Sequence, residues 1–235
     1  MITEEKKYID AELGPISIYK KSLNRSVTLR IKETGIVVAI PAFYSFSKGE
    51  QILEQYREKL KTKLQQKQEK FQFEDGSELR TYSFTAFISR TSLQKSYYSL
   101  KDEELHIALK ETTDFKSPDV QLKIKKVIET CMRKEARQIL PDLLRTVAAK
   151  HRFTVNEIKI NSSKGRWGSC SAKKNINLSF YVMLLPPHLV ELILLHELCH
   201  TLEMNHSPRF WKELDRVTGG KAKLLTKELK KHHTW

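Results

Sequence analysis

The pattern of apolar and polar positions along the chain predicts strands first and helices later. The first 45 residues alternate apolar with polar side chains, as in "SVTLRI", where Val27, Leu29 and Ile31 would share one face of a strand. The same reasoning predicts strands at "ISIYK" and "GIVVAIP". An S-x-x-E capping box at Ser47 and Glu50 then predicts a helix, in which apolar residues recur every four positions.

The middle of the chain is predicted to contain further strands and then long helices. "LRTYSFTAFI", "SYYSL" and "ELHIALK" read as strands, and no internal repeat is evident. Ser117 and Pro118 suit the N-cap and first position of a helix whose apolar stripe extends to Ile139. Pro141 is predicted to break or kink this helix. Strands at "VNEIKI", around "RWGSCS" and at "INLSFYV" should precede an apolar helix that begins near Pro187.

A shift in composition at "TTDFKSPD" predicts a domain boundary near residue 115. Residues 1–115 would form a smaller β-rich N-terminal region with one long helix, and residues 116–235 a second domain. Apolar residues make up 40% and charged residues 30% of the 235 residues, as in folded proteins rather than disordered or fibrous ones. We therefore expect an α+β protein of two units.

The formal net charge of +14 is concentrated in the second half of the chain. Residues 1–115 carry 19 Lys and Arg against 17 Asp and Glu, whereas residues 116–235 carry 23 against 11. A positive field there would attract an anionic partner such as nucleic acid, although solubility alone explains the same charge. The residues of the first basic helix that could meet phosphates are Lys123, Lys126, Arg133, Lys134 and Arg137.

Three features bear on the location of the protein. No apolar run approaches the about 20 residues of a membrane-spanning helix. The N-terminal "MITEEKKYIDAELG" lacks the apolar segment of a secretory signal peptide. Cys131, Cys170 and Cys199 are an odd number without a C-x-x-C pair, which argues against a disulfide framework. These features predict a cytoplasmic protein that does not contact membranes.

The segment "LLHELCHTLEMNHSPRFW" carries the candidate chemistry. His196 and His200 are four residues apart, so on a helix they project from one face and can bind the same ion. Glu197 is offset by about 100°, which suits a general base better than a ligand. Imidazole nitrogens favour zinc, and a catalytic zinc keeps three protein ligands and a water. His206 is the candidate third ligand, because the sequence from Asn205 to Pro208 can turn the chain back.

The predicted reaction is hydrolysis of an amide bond. Glu197 would take a proton from a zinc-bound water and later pass it to the leaving amine. A purely structural zinc is the alternative, but structural sites usually have four protein ligands. Metzincin proteases share the histidine spacing, but they place Gly where this chain has Glu203, and no Met-turn follows because Met204 is the last methionine.

The run "GRWGSCSAKKNINLSFYVMLLPPHLVELILLHELCHTLEMNHSPRFW" resembles the YgjP-like metallopeptidase family, which shares the R-W-G-S-C-S segment, the H-E-L-x-H helix and N-H-S-x-x-F-W. The resemblance is dense from Gly165 to Trp211, and a looser one extends to the opening strands. The histidine spacing is also similar to that of SprT-like and Wss1-like proteases, which degrade proteins crosslinked to DNA. The resemblance implies that the three histidines bind zinc and that Glu197 is the catalytic acid/base.

The resemblance also implies a zincin-like catalytic domain, with a mixed or antiparallel sheet packed on the motif helix. In related gluzincin-like folds an edge strand aligns the substrate backbone, and "NINLSFYV" or "RWGSC" is the candidate edge here. Arg166 and Tyr181 are candidates for stabilising the oxyanion, which needs a cationic or hydroxyl donor. Arg166 and Trp167 can instead pack and brace the sheet. Phe210 and Trp211 are expected in the core.

The main functional prediction is a zinc-dependent metallopeptidase that acts on peptides or unfolded protein. One alternative is a DNA-associated protease, whose basic half holds nucleic acid while the zinc site cleaves attached protein. Another is a non-catalytic, zinc-containing binding protein, which the intact Glu197 disfavours. The sequence makes no prediction of oligomeric state.

Overall fold

The computed structural model describes residues 2–32, 35–69 and 72–235, and it divides the chain into two compact units, Met1–Gln72 and Phe73–Trp235. The boundary predicted near residue 115 thus differs from this division and falls inside the second unit. A buried amide group explains why residues on both sides of 115 belong together. Gln121 exchanges hydrogen bonds of 2.7 and 2.9 Å with the backbone of Phe73, and it donates another of 2.7 Å to the carbonyl of Phe115.

The first unit is a four-stranded sheet followed by two helices. The strand order is β1-β2-β4-β3, with β2 and β4 parallel and the outer pairs antiparallel. The elements are β1 (Ile2–Asp10), β2 (Gly14–Lys21), β3 (Thr28–Lys32), β4 (Gly35–Pro41), α1 (Phe46–Gln55) and α2 (Arg57–Glu69). The three strands predicted from alternation are present, and β1 is an additional one.

The N-terminus of α1 lies two residues earlier than the sequence predicted. Ser45, rather than Ser47, is the N-cap, and its hydroxyl accepts a hydrogen bond from the amide of Lys48 at 3.2 Å. Ser47 lies inside the helix. Either serine fits a capping pattern. The helix begins at Phe46, soon after β4 ends, so Ser45 occupies the cap position.

The second unit begins with a sheet that repeats the topology of the first. The elements are β5 (Glu78–Arg80), β6 (Thr85–Thr91), β7 (Tyr97–Lys101) and β8 (Glu104–Lys110). Their order is β5-β6-β8-β7, with a parallel central pair and antiparallel outer pairs. The sequence showed no internal repeat, because the two sheets share apolar alternation and connectivity rather than residue identity.

Helix α3 (Pro118–His151) follows the second sheet and continues through Pro141. Of the two predicted outcomes, the break is wrong, and a kink at Pro141 stays a prediction. Its buried residues lie on both sides of the proline, including Ile128 and Met132 before it and Leu144 after it. Their burial outweighs the lost backbone hydrogen bond and the steric cost of an internal proline, about 3 kcal/mol.

A small mixed sheet, a 3-10 helix and three α-helices complete the second unit. The elements are β9 (Ile158–Asn161), β10 (Gly168–Cys170), β11 (Ile176–Ser179), a 3-10 helix (Phe180–Leu184), α4 (Pro187–Cys199), α5 (Pro208–Val217) and α6 (Ala222–Leu229). The order β10-β11-β9 combines an antiparallel with a parallel pair. Helix α4 packs on β10, the 3-10 helix, α3, α5 and α6. The predicted α+β fold with a mixed sheet on the motif helix is confirmed.

None of the helices within the described ranges has the length and apolar character needed to span a bilayer.

Candidate metal centre

Helix α4 presents two histidines near its C-terminal end. The helix is apolar on nearly all sides, and nine of its residues are buried. His196 lies in its last turn and His200 is the residue that caps it. Their separation of four residues places both imidazoles on one side, with ring centroids 4.8 Å apart.

A turn after α4 brings in the third histidine. Ser207 is the N-cap of α5, and its hydroxyl accepts a hydrogen bond from the amide of Phe210 at 3.3 Å, with Pro208 at the first helical position as predicted. His206 immediately precedes this cap. Its Nε2 atom lies 3.1 Å from Nε2 of His196.

The three imidazoles converge through the same type of nitrogen. Nε2 of His196 is 3.2 Å from Nε2 of His200 and 3.1 Å from Nε2 of His206, and the potential ligand atoms of all three residues lie within 4.8 Å of one another. Nitrogens bound to a tetrahedral zinc at about 2.0–2.1 Å would lie about 3.3 Å apart, so the spacing fits a small divalent ion.

The hydrogen bond made by His200 defines which of its nitrogens faces the cluster. Nδ1 lies 2.9 Å from the carbonyl oxygen of Glu203. A carbonyl can only accept, so Nδ1 carries the proton and the lone pair of a neutral His200 is on Nε2. The lone pair therefore points towards the other two histidines, as a metal ligand requires.

Burial favours the neutral form of His196 and His200. Loss of solvation, together with the neighbouring imidazoles of His200 and His206, lowers the pKa of His196 to about 4. Burial also lowers the pKa of His200, although the hydrogen bond to Glu203 opposes this. Neutral imidazole is the form that binds metal ions.

The ring of Phe210 packs against all three imidazoles. This side chain is fully buried, and its ring centroid lies 4.9, 4.6 and 4.7 Å from those of His196, His200 and His206. The expected core position of Phe210 agrees with this, and the ring also restricts how the ligand set can move. In the sequence, only the aromatic pair after the third histidine, Phe210 and Trp211, pointed to this contact.

Glu197 lies next to the histidines with an unpaired oxygen. The residue is 5% exposed, and Oε2 has no hydrogen-bond partner within the described ranges. Burial raises the pKa of Glu197 to about 7, against the opposing effect of the positive charge of Arg166. A buried carboxylate without a partner is costly, so this oxygen is available to bind water or substrate.

Gly168, which the sequence analysis did not single out, makes room for Glu197. A Cβ atom at this position would lie 2.6 Å from Oε1, 2.7 Å from Cγ and 2.8 Å from Cδ of Glu197. Only glycine allows β10 to approach the glutamate this closely. The G in "RWGSC" was the available signal, but a contact across 29 positions in sequence is not visible in any local pattern.

Strand β10 is an edge strand of its sheet. This position decides between the two segments that the sequence offered as the candidate edge strand, "NINLSFYV" and "RWGSC". Strand β11 lies between β10 and β9, so its two sides are already paired. Of the two candidate segments, only "RWGSC" contains an edge strand. Strand β10 packs against α4, and its Gly168 lies against the side chain of Glu197.

The two oxyanion candidates have different environments. Arg166 is exposed and acts electrostatically on Glu197. Tyr181 is 1% exposed, and its hydroxyl donates a 2.5 Å hydrogen bond to Oε1 of Glu129. Burial and this carboxylate raise the pKa of Tyr181 strongly. Arg166 thus lies within electrostatic range of Glu197, whereas the hydroxyl of Tyr181 is bound to Glu129.

The basic residues of α3 divide into two groups. Arg133 is half-buried, with its guanidinium 4.5 Å from the ring centroid of Phe180, so it contributes to packing. The others that were considered for phosphate binding are exposed: Lys123, Lys126, Lys134 and Arg137. Nucleic-acid binding remains a prediction from charge.

A histidine cluster suited to a metal, with a carboxylate at its side, is the arrangement found in metallopeptidases. A family model described as the YgjP-like metallopeptidase domain matches residues 25–232. This chain belongs to the YgjP-like family, so the predicted family is confirmed and a divalent metal and a peptide or protein substrate are implied.

Two solved structures are similar to parts of the chain. The metallopeptidase zymogen of Pyrococcus abyssi abylysin is 27% identical, covers 40% of this chain and 94% of its own, and has a TM-score of 0.36. The metallopeptidase zymogen of Methanocaldococcus jannaschii jannalysin is 26% identical, covers 39% and 94%, and has a TM-score of 0.33. No curated protein matches the chain.

Proposed function

We propose that this protein is a zinc-dependent peptidase that hydrolyses peptide bonds in peptides or unfolded proteins. His196, His200 and His206 are the zinc ligands in this proposal, and Glu197 is the general base. The observation that carries it is the convergence of three Nε2 atoms beside a buried carboxylate with an unpaired oxygen.

Zinc fits this ligand set better than the other common ions. Three imidazole nitrogens without a carboxylate ligand favour zinc over magnesium or calcium, and three protein ligands are typical of catalytic zinc. When bound, zinc supplies Lewis acidity that polarises a carbonyl and makes water more acidic.

Glu197 moves the proton in the proposed reaction. With a pKa raised to about 7 by burial, its carboxylate can take a proton from water near neutral pH and return it to the leaving amine. The close approach of Gly168 restricts the side chain to one side of its pocket.

Arg166 and β10 would position the substrate. An extended peptide can add to the open edge of β10 through backbone hydrogen bonds, which would bring its carbonyl groups past Glu197. The guanidinium of Arg166 would then stabilise negative charge on the carbonyl oxygen. Tyr181 does not stabilise the oxyanion in this proposal, because its buried hydroxyl donates a hydrogen bond to Glu129.

The direct test compares two glutamates of the same helix. Glu197→Gln should lower the hydrolysis of fluorescein-labelled casein by about 10²–10⁴-fold, the usual contribution of a general base, while zinc content stays unchanged. Glu191→Gln, at an exposed position of α4, should leave both quantities at the wild-type level. Cleavage by Glu197→Gln as fast as by the wild type would refute the mechanism. Zinc binding without hydrolysis by the wild type would instead favour the non-catalytic alternative.

A further inference from the structure

Glu129 of α3 is the centre of a second polar cluster, away from the histidines. Its Oε1 atom accepts a 2.5 Å hydrogen bond from the hydroxyl of Tyr181 and a 2.6 Å hydrogen bond from the indole N–H of Trp235. Nζ of Lys164 lies 3.6 Å from the same oxygen. We call Glu129, Lys164, Tyr181 and Trp235 the Glu129 cluster.

Lys164 connects this cluster to the chain segment that precedes β10. Its ammonium group lies 5.4 Å from the centroid of the Tyr181 ring, in addition to its ion pair with Glu129. Its carbonyl accepts a 3.3 Å hydrogen bond from the hydroxyl of Thr234. Both the side chain and the main chain of Lys164 are therefore held, because separate partners bind each.

Residues 163–167, which we call the Arg166 segment, are also held at both ends. The hydroxyl of Ser179 donates a 2.6 Å hydrogen bond to the carbonyl of Ser163, and the amide of Ser179 donates one of 2.8 Å to the carbonyl of Trp167. Between these ends, Lys164 contacts α3 through its ion pair with Glu129. Arg166 follows it by two residues, and Gly168, in contact range of Glu197, by four.

We propose that Glu129 is a positioning residue, which holds the Arg166 segment through Lys164 and so places Arg166 beside Glu197. Tyr181 and Trp235 fix the carboxylate in turn, since each donates a hydrogen bond to it. This inference rests on the proposed function, because it assigns Glu129 a contribution to catalysis that acts only through Arg166.

A double-mutant cycle tests the link to Arg166. Glu129→Gln and Lys164→Met each remove the ion pair while keeping a side chain of similar size, and each should lower kcat for labelled casein by about fivefold or more with little change in KM. In an Arg166→Ala background the same substitutions should lower kcat by less than about twofold. Glu135→Gln, on the same helix, is the matched control and should change neither constant. Equal losses in both backgrounds would overturn the proposal, since they indicate a general structural effect.

Hydrogen exchange provides a readout that does not need activity. In the full-length protein, amides of residues 162–171 should exchange faster in Glu129→Gln and in Lys164→Met, while those of α4 stay as protected as in the wild type. Unchanged exchange in residues 162–171 would overturn the positioning role. If the wild type shows no hydrolysis, the proposed function fails, and the exchange result still decides whether Glu129 holds the Arg166 segment. If Glu129→Gln does not fold, Lys164→Met alone decides both measurements.

Discussion

Two polar clusters of the second unit differ in how far their own atoms satisfy one another. In the Glu129 cluster one carboxylate oxygen receives two hydrogen bonds and an ion pair, so donors and acceptors are matched. In the histidine cluster Nε2 of His196 lies 3.1–3.2 Å from Nε2 of His200 and of His206, and Oε2 of Glu197 has no partner in the described ranges. Matched donors and acceptors make a stable buried network, whereas converging lone pairs need a cation. The first cluster therefore needs no ion to satisfy it, and the second is suited to metal chemistry.

The largest effect expected from this difference is the loss of the metal on removing one imidazole. His206→Ala should reduce zinc from about one ion per chain to less than about a tenth, because two histidines without a third ligand hold zinc weakly. Inductively coupled plasma mass spectrometry of the purified protein measures this directly, and hydrolysis should disappear in parallel.

A histidine outside the cluster provides the control for this prediction. His188 lies on α4 and pairs with Glu228 at 2.8 Å, so His188→Ala should keep the zinc. Full zinc content in His206→Ala would contradict the three-histidine site. Loss of zinc in both variants would point to a general effect of disturbing the helix.

A smaller effect is expected where the backbone of β10 meets Glu197. Gly168→Ala would place its Cβ 2.6 Å from Oε1 of a glutamate that is 5% exposed and has little room to move away. We expect hydrolysis to fall by about tenfold or more and the free energy of unfolding by about 1–3 kcal/mol, with zinc retained. Activity assays and urea unfolding test both values.

Gly165→Ala is the matched control, because a Cβ at Gly165 would have no atom within 4 Å. This variant should behave as the wild type in both measurements. If Gly168→Ala and Gly165→Ala had equal effects, alanine would be acting by reducing the flexibility of the segment and not through a contact with Glu197.

The parts of the site that were predictable from the sequence depend on short-range geometry. Two histidines four residues apart on a helix must share a face, and Ser207 with Pro208 is enough to predict the turn that follows His206. The role assigned to Tyr181 depended on what lies across the fold, and the structure places its hydroxyl on Glu129 instead. Helix periodicity contains no information about such a contact.

The same distinction applies to the fold. Most strands and helices were predictable from periodicity, but the division into units was not, because the hydrogen bonds of Gln121 to Phe73 join residues 48 positions apart in sequence. The repeated strand order of the first two sheets was equally invisible. The strand order depends on which strands pair with each other. Alternation of apolar residues shows which face of a strand is buried, but it does not show which strand lies beside it.

The smallest predicted effect concerns the matched cluster and should appear in stability but not in zinc content. Trp235→Phe keeps an aromatic ring against Tyr181 but removes the N–H that donates to Glu129. Trp235 is 6% exposed, so this hydrogen bond to a carboxylate is shielded from water, and its loss should lower the free energy of unfolding by about 1–2 kcal/mol. Urea unfolding measures the change, and Tyr181→Phe, which removes the other donor, should give a similar value. Zinc content should stay at the wild-type level in both variants, since neither side chain touches the histidines. Loss of zinc in either variant would break the contrast between the two clusters, because it would show that the metal site depends on the hydrogen bonds around Glu129.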